Sequence, residues 1–268
     1  MTAMKTEAMA QLVELCAAAR ERRRPVPAPL PPDCRPPSLD EAYRVQAALN
    51  ERLSGRLGAV CGRKIGCTTP VMQRYLRIEH PCAGALHAGR THRSPAAAPF
   101  GEHWRPGGEC EIAVRLGRPL STADAPFDRT AVADAVASCM AAIEIVDDRY
   151  ENFRALDAAS LVADDFFNAG AVVGVPVSAW SGLDLAALRG VMTINGVEVG
   201  AGIGADVMGH PLEALAWLAN HAAATGRPLS EGDLVLTGSI VETHWVGPGD
   251  TVRVEIEGLG EAIVSFAP

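Results

Sequence analysis

The sequence predicts an α+β fold in which a helical arm precedes a mixed β-sheet. Up to residue 55, apolar residues recur at helical spacing in two stretches. From Gly58 onward, short apolar runs are separated by glycines and prolines, which is typical of strands and tight connections. These strands do not alternate strictly with helices, so a mixed sheet is favoured over a doubly wound parallel sheet. We therefore expect an N-terminal helical arm over residues 1–55 and a mixed β-sheet domain over residues 56–268.

The arm is predicted to contain two helices joined by an extended connector. Residues 3–24 are expected to form one amphipathic helix. Residues 25–37 contain seven prolines, which cannot continue a helix. Ser38 and Glu41 have the spacing of a capping box, so a second helix should begin there and run to about Leu53.

The mixed β-sheet domain is predicted to consist of strands with two long helices. One helix is expected to begin after Asp128 and to place Val132, Cys139 and Ile143 on one apolar stripe. The other should begin at Pro211, a favoured first helical position, and end near Gly226. The predicted strands span residues 59–67, 110–116, 143–146, 171–175, 191–194, 234–236, 251–256 and 262–266.

Composition and charge exclude several classes of protein. The formal net charge of −8 and the absence of a Lys/Arg stripe argue against nucleic-acid binding. The sequence contains no run of about 18 apolar residues, so we expect no membrane span. Its seven cysteines lack the CxxC or CxxH spacing of a zinc site and suggest no disulfide framework. A reducing, cytoplasmic location is expected.

Three glutamates form the most informative pattern. In a strand, Glu109 and Glu111 lie on one face, while Cys110 and Ile112 lie on the apolar face. Two carboxylates this close repel each other, so a cation between them is one interpretation. Two glutamates on a solvated face is the other, and on this segment alone neither is preferred. Glu144 interrupts a second apolar run, where a carboxylate is seldom unpaired.

Three converging carboxylates without Cys or His ligands would form a site for a hard cation, Mg²⁺ or Mn²⁺. Asp147, Asp148 and Arg149 follow Glu144 and are expected to form a solvated turn with an internal ion pair. Lys64 lies in a strand-like run, where it could bind a substrate carboxylate or transfer protons.

Two further segments are candidates for the site. The Asp164–Asp165 pair precedes two phenylalanines, and either carboxylate could accept a proton or orient Lys64. The turn Thr237-Gly238-Ser239 follows a strand, and its N–H groups and hydroxyl could bind a substrate carboxylate, although a plain turn would look similar.

Six segments together resemble a known family. GRKIGCT, GxExEIAV, AIEIVDDRY, VADDFFNAGAVVG, GADVMGHPLEALAWLAN and GDLVLTGS occur in the order seen in the 2-keto-4-pentenoate hydratase and 4-oxalocrotonate decarboxylase branch of the fumarylacetoacetate hydrolase superfamily. The resemblance implies a mixed β-roll and a Mg²⁺ or Mn²⁺ site formed by Glu109, Glu111 and Glu144. It also implies catalytic roles for Lys64 and Asp164, and substrate contacts for Thr237, Gly238 and Ser239.

The sequence departs from the family pattern at two places. Cys82 occupies the position of an acidic residue that in the hydratases helps to orient the lysine. The family's Asp-Asn-Ala-Ser run is replaced by Asp164-Asp165-Phe166-Phe167, so the two phenylalanines are expected to narrow or reshape the pocket.

The expected chemistry follows from the cation, which can bind the carboxylate and keto oxygens of a 2-oxo acid and stabilise its enolate. Hydration of a 2-hydroxypenta-2,4-dienoate is the preferred reaction, with Lys64 and Asp164 in proton transfer or substrate binding. Decarboxylation of an unsaturated 2-oxo diacid needs the same enolate, and Arg63, Arg74 or Arg149 could bind its second carboxylate.

Two other functions are alternatives to this chemistry. Hydrolytic C–C cleavage is disfavoured because no His–Glu pair can be assigned, and His80, His87 and His92 are expected on the surface. A non-catalytic paralogue that binds a 2-oxo acid, or assembles with an active relative, is the second alternative. A homo-oligomer is expected, with association with a related decarboxylase or hydratase as a further partner.

Overall fold

The computed structural model describes residues 3–268 as two β-sheets with six α-helices. Shorter 3-10 turns connect several of the elements. The helices are α1 (Thr6–Arg20), α2 (Leu39–Leu57), α3 (Pro70–Leu76), α4 (Arg129–Ala133), α5 (Ala158–Ala163) and α6 (Pro211–Ala224). The strands are β1 (Val60–Gly66), β2 (Cys82–His87), β3 (Thr91–Arg93), β4 (Ala96–Pro99), β5 (Pro106–Leu116), β6 (Val136–Asp147), β7 (Asn168–Val173), β8 (Arg189–Ile194), β9 (Val197–Ile203), β10 (Leu234–Trp245), β11 (Thr251–Ile256) and β12 (Gly260–Ala267).

Both sheets are mixed, as the sequence predicts. The larger sheet has seven strands in the order β2-β1-β10-β5-β6-β7-β3, and the smaller has five in the order β4-β12-β11-β8-β9. The pairs β1/β10, β3/β7 and β4/β12 are parallel, whereas the other pairs are antiparallel. Because β1, β10, β5 and β6 are consecutive in the larger sheet, residues far apart in sequence meet on its central strands.

The central strands are buried on both faces. On one face of β5, Cys110, Ile112 and Val114 belong to the main core shared with the smaller sheet and α6. On the opposite face, Ala113 packs in a smaller apolar cluster with Met140 of β6 and residues of β7 and β10. Polar side chains on this second face therefore lie inside the protein rather than at its surface.

The two N-terminal helices pack against α5 and the segment that follows it. Leu12 of α1 and Leu49 of α2 belong to one apolar cluster with Val162 and Phe166. The Ser38 hydroxyl accepts a hydrogen bond from the backbone N–H of Glu41 at 3.2 Å, so the predicted cap is present. The Glu41 carboxylate instead accepts a hydrogen bond from the Met4 N–H, so the structure shows only the Ser38 half of the capping box.

The prediction of a long helix after Asp128 is wrong. The helix there, α4, has only five residues, and the chain from Val136 onward forms the twelve-residue strand β6. Every residue of β6 except Ala137 is buried, so the segment lacks the alternation that distinguishes a half-buried strand. A continuous apolar run is compatible with both the helical and the strand period, and here it forms a strand.

Four strands, β2, β3, β4 and β9, were not predicted, and neither were the short helices α3 and α5. Most of these elements are short or rich in Ala and Gly, which weakens both the helical and the strand pattern. No helix within residues 3–268 has the length and apolar character that a membrane crossing would require. All seven cysteines are free thiols.

Candidate active site

Three glutamates from β5 and β6 converge on the inner face of the larger sheet. Glu109 and Glu144 are directly opposite each other in the antiparallel β5/β6 ladder, and Glu111 lies two residues further along β5. One carboxylate oxygen from each of the three lies within 4.8 Å of the others. Glu111 and Glu144 are fully buried, whereas Glu109 is partly exposed. The interpretation in which both strand glutamates face water is therefore wrong for Glu111.

Each of these carboxylates accepts a hydrogen bond from a residue on a neighbouring strand. The backbone N–H of Gly238 donates to Glu111 Oε2 at 2.7 Å, and Asn168 Nδ2 donates to Glu144 Oε1 at 2.9 Å. The hydroxyl of Thr243 donates to Glu109 Oε1. These contacts orient the three side chains toward one another, as outer hydrogen bonds orient metal ligands.

Two carboxylate oxygens at this site have no hydrogen-bond partner. Within residues 3–268, Glu111 Oε1 and Glu144 Oε2 are the buried side-chain oxygens that lack one. A buried, unpaired carboxylate oxygen is costly, because the oxygen has given up water without compensation. The site thus offers three hard oxygen ligands close together, and two of its carboxylates keep an oxygen without a partner. This set of ligands fits a divalent cation such as Mg²⁺ or Mn²⁺.

The electrostatics of the cluster support the same fit. Burial and the charge of Glu144 raise the pKa of Glu109 to about 7. Burial and the charges of Glu144 and Glu109 raise the pKa of Glu111 well above its ordinary value. Three carboxylates in a low-dielectric site cannot all ionise without a compensating positive charge. A bound divalent cation would supply that charge.

Lys64 lies beside the three glutamates. It is on β1, is almost fully buried, and its Nζ lies 2.9 Å from Glu144 Oε1. Burial alone would lower the pKa of Lys64, but the charges of Glu144 and Glu109 outweigh that effect and the pKa is raised. Lys64 is therefore an ammonium at neutral pH, with one of its three donors directed at Glu144.

The alternative in which Asp164 orients Lys64 directly is wrong, because Lys64 pairs with Glu144. The Asp164 carboxylate accepts hydrogen bonds from Arg149 Nε and Nη2 at 3.2 and 3.1 Å and from the Tyr150 hydroxyl at 2.9 Å. Arg20, at the end of α1, pairs with its other oxygen. Asp164 thus bridges the guanidinium groups of Arg20 and Arg149 and links the N-terminal helix to the segment that follows β6.

The turn after Glu144 is not solvated, contrary to the sequence-based expectation. Asp147, Asp148 and Arg149 are all at most 5% exposed. Asp147 Oδ1 accepts hydrogen bonds from the backbone N–H groups of Trp104 and Arg105, whereas Arg149 pairs with Asp164. The sequence around these three charged residues is typical of a surface turn, because the partners that allow them to be buried lie more than ten residues away in the sequence.

The prediction of a turn at Thr237-Gly238-Ser239 is wrong, because the segment lies inside strand β10, where its register with β5 shifts. It lies next to Glu111. The Thr237 hydroxyl donates to the carbonyl of Ile112 at 2.8 Å, and the Ser239 hydroxyl donates to the carbonyl of Val241 at 2.5 Å. A side chain at Gly238 would collide with Thr68, since a Cβ there would lie 2.6 Å from Thr68 Cγ2. Substrate contact by this segment stays a prediction. Ser239 is partly exposed, so its hydroxyl is the group of the segment that a substrate could reach.

The sequence-based reasoning missed several residues around the site. Thr243 and Asn168, which hold Glu109 and Glu144, were not identified, because their position depends on strand pairing rather than on a local motif. His87 was expected at the surface but is 5% exposed on β2. Its Nδ1 faces the carbonyl of Gly58, and its Nε2 faces Asn50 Oδ1, each at 2.9 Å.

With this geometry established, comparison with known proteins identifies the family. The family described as "Fumarylacetoacetate (FAA) hydrolase C-terminal" matches residues 84–266. The chain belongs to this family. A 2-keto-4-pentenoate hydratase of Paraburkholderia phymatum is 34% identical to it over 242 residues, which cover 90% of each chain. A 4-oxalocrotonate decarboxylase of Pseudomonas putida is 32% identical over 227 residues, which cover 84% of each chain.

A solved structure of a fumarylacetoacetate hydrolase family member extends this comparison to the whole fold. The 4-oxalocrotonate decarboxylase of Pseudomonas putida G7, complexed with magnesium and adipate, superposes with a TM-score of 0.90 at 28% identity. The match covers 99% of the present chain and 100% of the decarboxylase. A second structure of that enzyme holds calcium and acetate. The predicted mixed β-roll with an N-terminal helical region is confirmed, and a divalent metal cofactor agrees with these relatives.

Proposed function

We propose that the protein is a divalent-metal-dependent lyase that hydrates a 2-hydroxypenta-2,4-dienoate-type acid to a 4-hydroxy-2-oxo acid. The observation that carries the proposal is the pair of unpaired, buried oxygens of Glu111 and Glu144 beside the Lys64 ammonium. This arrangement combines a cation site with a hydrogen-bond donor, which an anionic 2-oxo acid requires. The two relatives compared above act on acids of this kind, according to their names.

Each residue then has a specific role. Glu109, Glu111 and Glu144 would hold Mg²⁺ or Mn²⁺, which when bound supplies electrostatic stabilisation of the enolate of a 2-oxo acid. Lys64 donates a hydrogen bond to the substrate carboxylate or a proton to the dienolate, because it is buried and protonated. Asp164 positions Arg149, which in turn holds the carbonyl of Phe167. Ser239 contacts the substrate.

The reaction is tested by following the loss of dienoate absorbance with Mg²⁺ or Mn²⁺, and after removal of metal by a chelator. We expect metal-dependent turnover of 2-hydroxypenta-2,4-dienoate and formation of 4-hydroxy-2-oxopentanoate. Glu111→Gln and Lys64→Ala should each lower kcat by at least about 100-fold. Undiminished turnover in metal-free protein, or in either variant, would refute the assignment.

Decarboxylation of an unsaturated 2-oxo diacid is the second candidate function. The specific observation in its favour is the similarity of the whole fold to 4-oxalocrotonate decarboxylase. Both reactions need the same enolate stabilisation, so the same glutamates and Lys64 would serve. Release of CO₂ from 4-oxalocrotonate, measured beside hydration of the dienoate, separates the two.

We also propose a cytoplasmic homo-oligomer, with association with a related decarboxylase or hydratase as a further interaction. The edge strand β9 carries two exposed apolar residues, Val197 and Ile203, which support a contact between subunits. Light scattering coupled to size-exclusion chromatography should give a mass that is a multiple of 28.1 kDa. A monomer at micromolar concentration would contradict the homo-oligomer.

A further inference from the structure

The turn after Asp164 has an unusual backbone. Asp165, Phe166 and Phe167 have φ values of 53°, 47° and 69°, so three successive residues with side chains occupy the left-handed region. Such a conformation is unfavourable for residues other than glycine, and aromatic residues are rarely found in it. It persists where the surrounding structure imposes it, and it often marks a functional site.

Contacts from three separate elements hold this turn in place. Asp165 is buried, and its Oδ1 accepts hydrogen bonds from Asn50 Nδ2 on α2 and from the backbone N–H of Ala85 on β2, both at 3.0 Å. Arg149 Nη1 donates to the carbonyl of Phe167 at 3.2 Å. The position of Phe166, between these anchored neighbours, is therefore determined by the fold rather than by its own side chain.

Phe166 is directed at the catalytic lysine. The Lys64 Nζ lies 5.6 Å from the centroid of the Phe166 ring. A Cβ atom on Gly66 would lie 3.5 Å from Phe166 Cδ1 and 3.6 Å from Lys64 Nζ, so ring and ammonium border the same space on β1. Any substrate that contacts Lys64 therefore also contacts the Phe166 ring or lies close to it.

Phe166 and two cysteines, Cys67 and Cys82, form what we call the aromatic wall. Cys67 and Cys82 lie in the same apolar cluster as Phe166, and both thiols are buried. The hydrogen bond between the two thiols, together with burial, raises the pKa of Cys67, so it remains neutral. The aromatic wall therefore consists of one ring and two buried thiols and contains no cation of its own.

The guanidinium groups behind Phe166 already have partners. Arg149 directs Nε and Nη2 at the Asp164 carboxylate and Nη1 at the Phe167 carbonyl. Arg20 pairs with Asp164 and Asp165. A second substrate carboxylate placed against Phe166 would find neither arginine free. Lys64, the cation beside the ring, already faces Glu144 and would bind the first carboxylate. The second carboxylate would therefore be an unpaired buried charge, which is strongly disfavoured.

We propose that Phe166 is a specificity-determining residue, and that the substrate is a monocarboxylic 2-hydroxydienoate with an apolar distal end rather than a dicarboxylate. This inference rests on the proposed function of the site and narrows its substrate class. It favours hydration over decarboxylation of a diacid as the physiological reaction.

Binding of matched 2-oxo acids tests the inference without requiring turnover. The probes are 2-oxopentanoate and 2-oxoglutarate, which have the same chain length and differ in the terminal carboxylate. Titrated by calorimetry into the Mn²⁺-loaded protein, 2-oxopentanoate should bind at least 10-fold more tightly. Equal affinity, or tighter binding of 2-oxoglutarate, would overturn the inference.

Variants assign the preference to the aromatic wall. Phe166→Asn suits the left-handed backbone and removes the ring, so it should weaken 2-oxopentanoate at least 10-fold without changing the affinity for Mn²⁺. Phe153→Leu, at an aromatic residue packed on Phe167, is the matched control and should leave both affinities unchanged. An unaltered preference in Phe166→Asn would refute the role of Phe166. Arg74→Ala tests a rival cation, and a specific loss of 2-oxoglutarate binding in that variant would contradict the proposal.

Kinetics separate this inference from the proposed function. We expect kcat/KM for 2-hydroxyhexa-2,4-dienoate to exceed that for 4-oxalocrotonate by at least 100-fold, with the Phe166→Asn effect mainly in KM. If neither acid is turned over but the binding preference holds, the proposed reaction is wrong and the aromatic wall stands. Preferred turnover of the diacid would leave metal-dependent chemistry intact and overturn the inference.

Discussion

The raised pKa of Glu109 predicts that protons and the metal ion compete for the site. With a pKa of about 7, Glu109 is about one-tenth ionised at pH 6 and nine-tenths ionised at pH 8. Since a carboxylate must be ionised to bind a metal, the Kd for Mn²⁺ should rise about 10-fold when the pH falls from 8 to 6. Glu111, whose pKa is raised further, should add to that change.

The same shift predicts how the stability of the metal-free protein depends on pH. A carboxyl group whose pKa is raised by folding binds more protons in the native state than in the unfolded state. Its stabilising effect is therefore present at low pH and is lost as the pH rises from about 4.5 to 7. For Glu109 the loss is up to about 3 kcal/mol, and a bound cation should reverse it.

Calorimetric titration of Mn²⁺ at pH 6, 7 and 8, in buffers of different ionisation enthalpy, measures both the affinity and the protons released. From Glu109 alone we expect the protons released per Mn²⁺ to fall from about nine-tenths at pH 6 to about one-half at pH 7 and about one-tenth at pH 8. Glu109→Gln should bind Mn²⁺ weakly and lose this component, whereas Glu102→Gln, at an exposed glutamate paired with Arg90, is the control. The same affinity at pH 6 and pH 8, without proton release, would refute the reasoning.

Three further outcomes follow from contacts at and near the site. Lys64→Met should lower kcat at least about 100-fold while Mn²⁺ binding is retained or tightened, because a positive charge beside the cation is removed. Thr243→Val removes the hydroxyl that donates to Glu109, so the Kd for Mn²⁺ measured by calorimetry should rise about 10-fold. Asp164→Asn leaves Arg149 without its countercharge, and the free energy of unfolding in urea should fall by about 3–5 kcal/mol.

Control variants show whether these effects are specific. Thr225→Val removes a hydroxyl at the end of α6 and should leave the Kd for Mn²⁺ unchanged. Asp124→Asn changes an exposed carboxylate and should alter stability by less than about 0.5 kcal/mol. Weaker Mn²⁺ binding in Lys64→Met, or wild-type stability in Asp164→Asn, would contradict the assigned contacts.

Part of the carboxylate cluster could be predicted from the sequence because it depends on local periodicity. Glu109 and Glu111 share a face since successive residues of a strand alternate, and Glu144 was recognisable as a charge within an apolar run. The predicted strand 251–256 has the bounds of β11, where alternation is clean and one face is exposed. Local patterns are reliable where one face is buried and the other is not.

The remainder depends on pairing between distant segments. The apolar segment from Val136 forms a strand because it is central in the sheet, a fact that its own composition does not contain. One of the two roles predicted for Asp164 was to orient Lys64, but its carboxylate binds Arg149 and Arg20, and only the folded arm brings Arg20 there. Asn168 reaches Glu144 through the β6/β7 register. Long-range pairing cannot be inferred from one sequence by periodicity.

The convergence of three carboxylates on one cation is tested most directly by anomalous diffraction from crystals grown with Mn²⁺. We predict a single strong peak within bonding distance of a carboxylate oxygen from each of Glu109, Glu111 and Glu144. The peak should be absent from crystals of Glu111→Gln. A peak elsewhere, or no peak at a saturating Mn²⁺ concentration, would contradict the account.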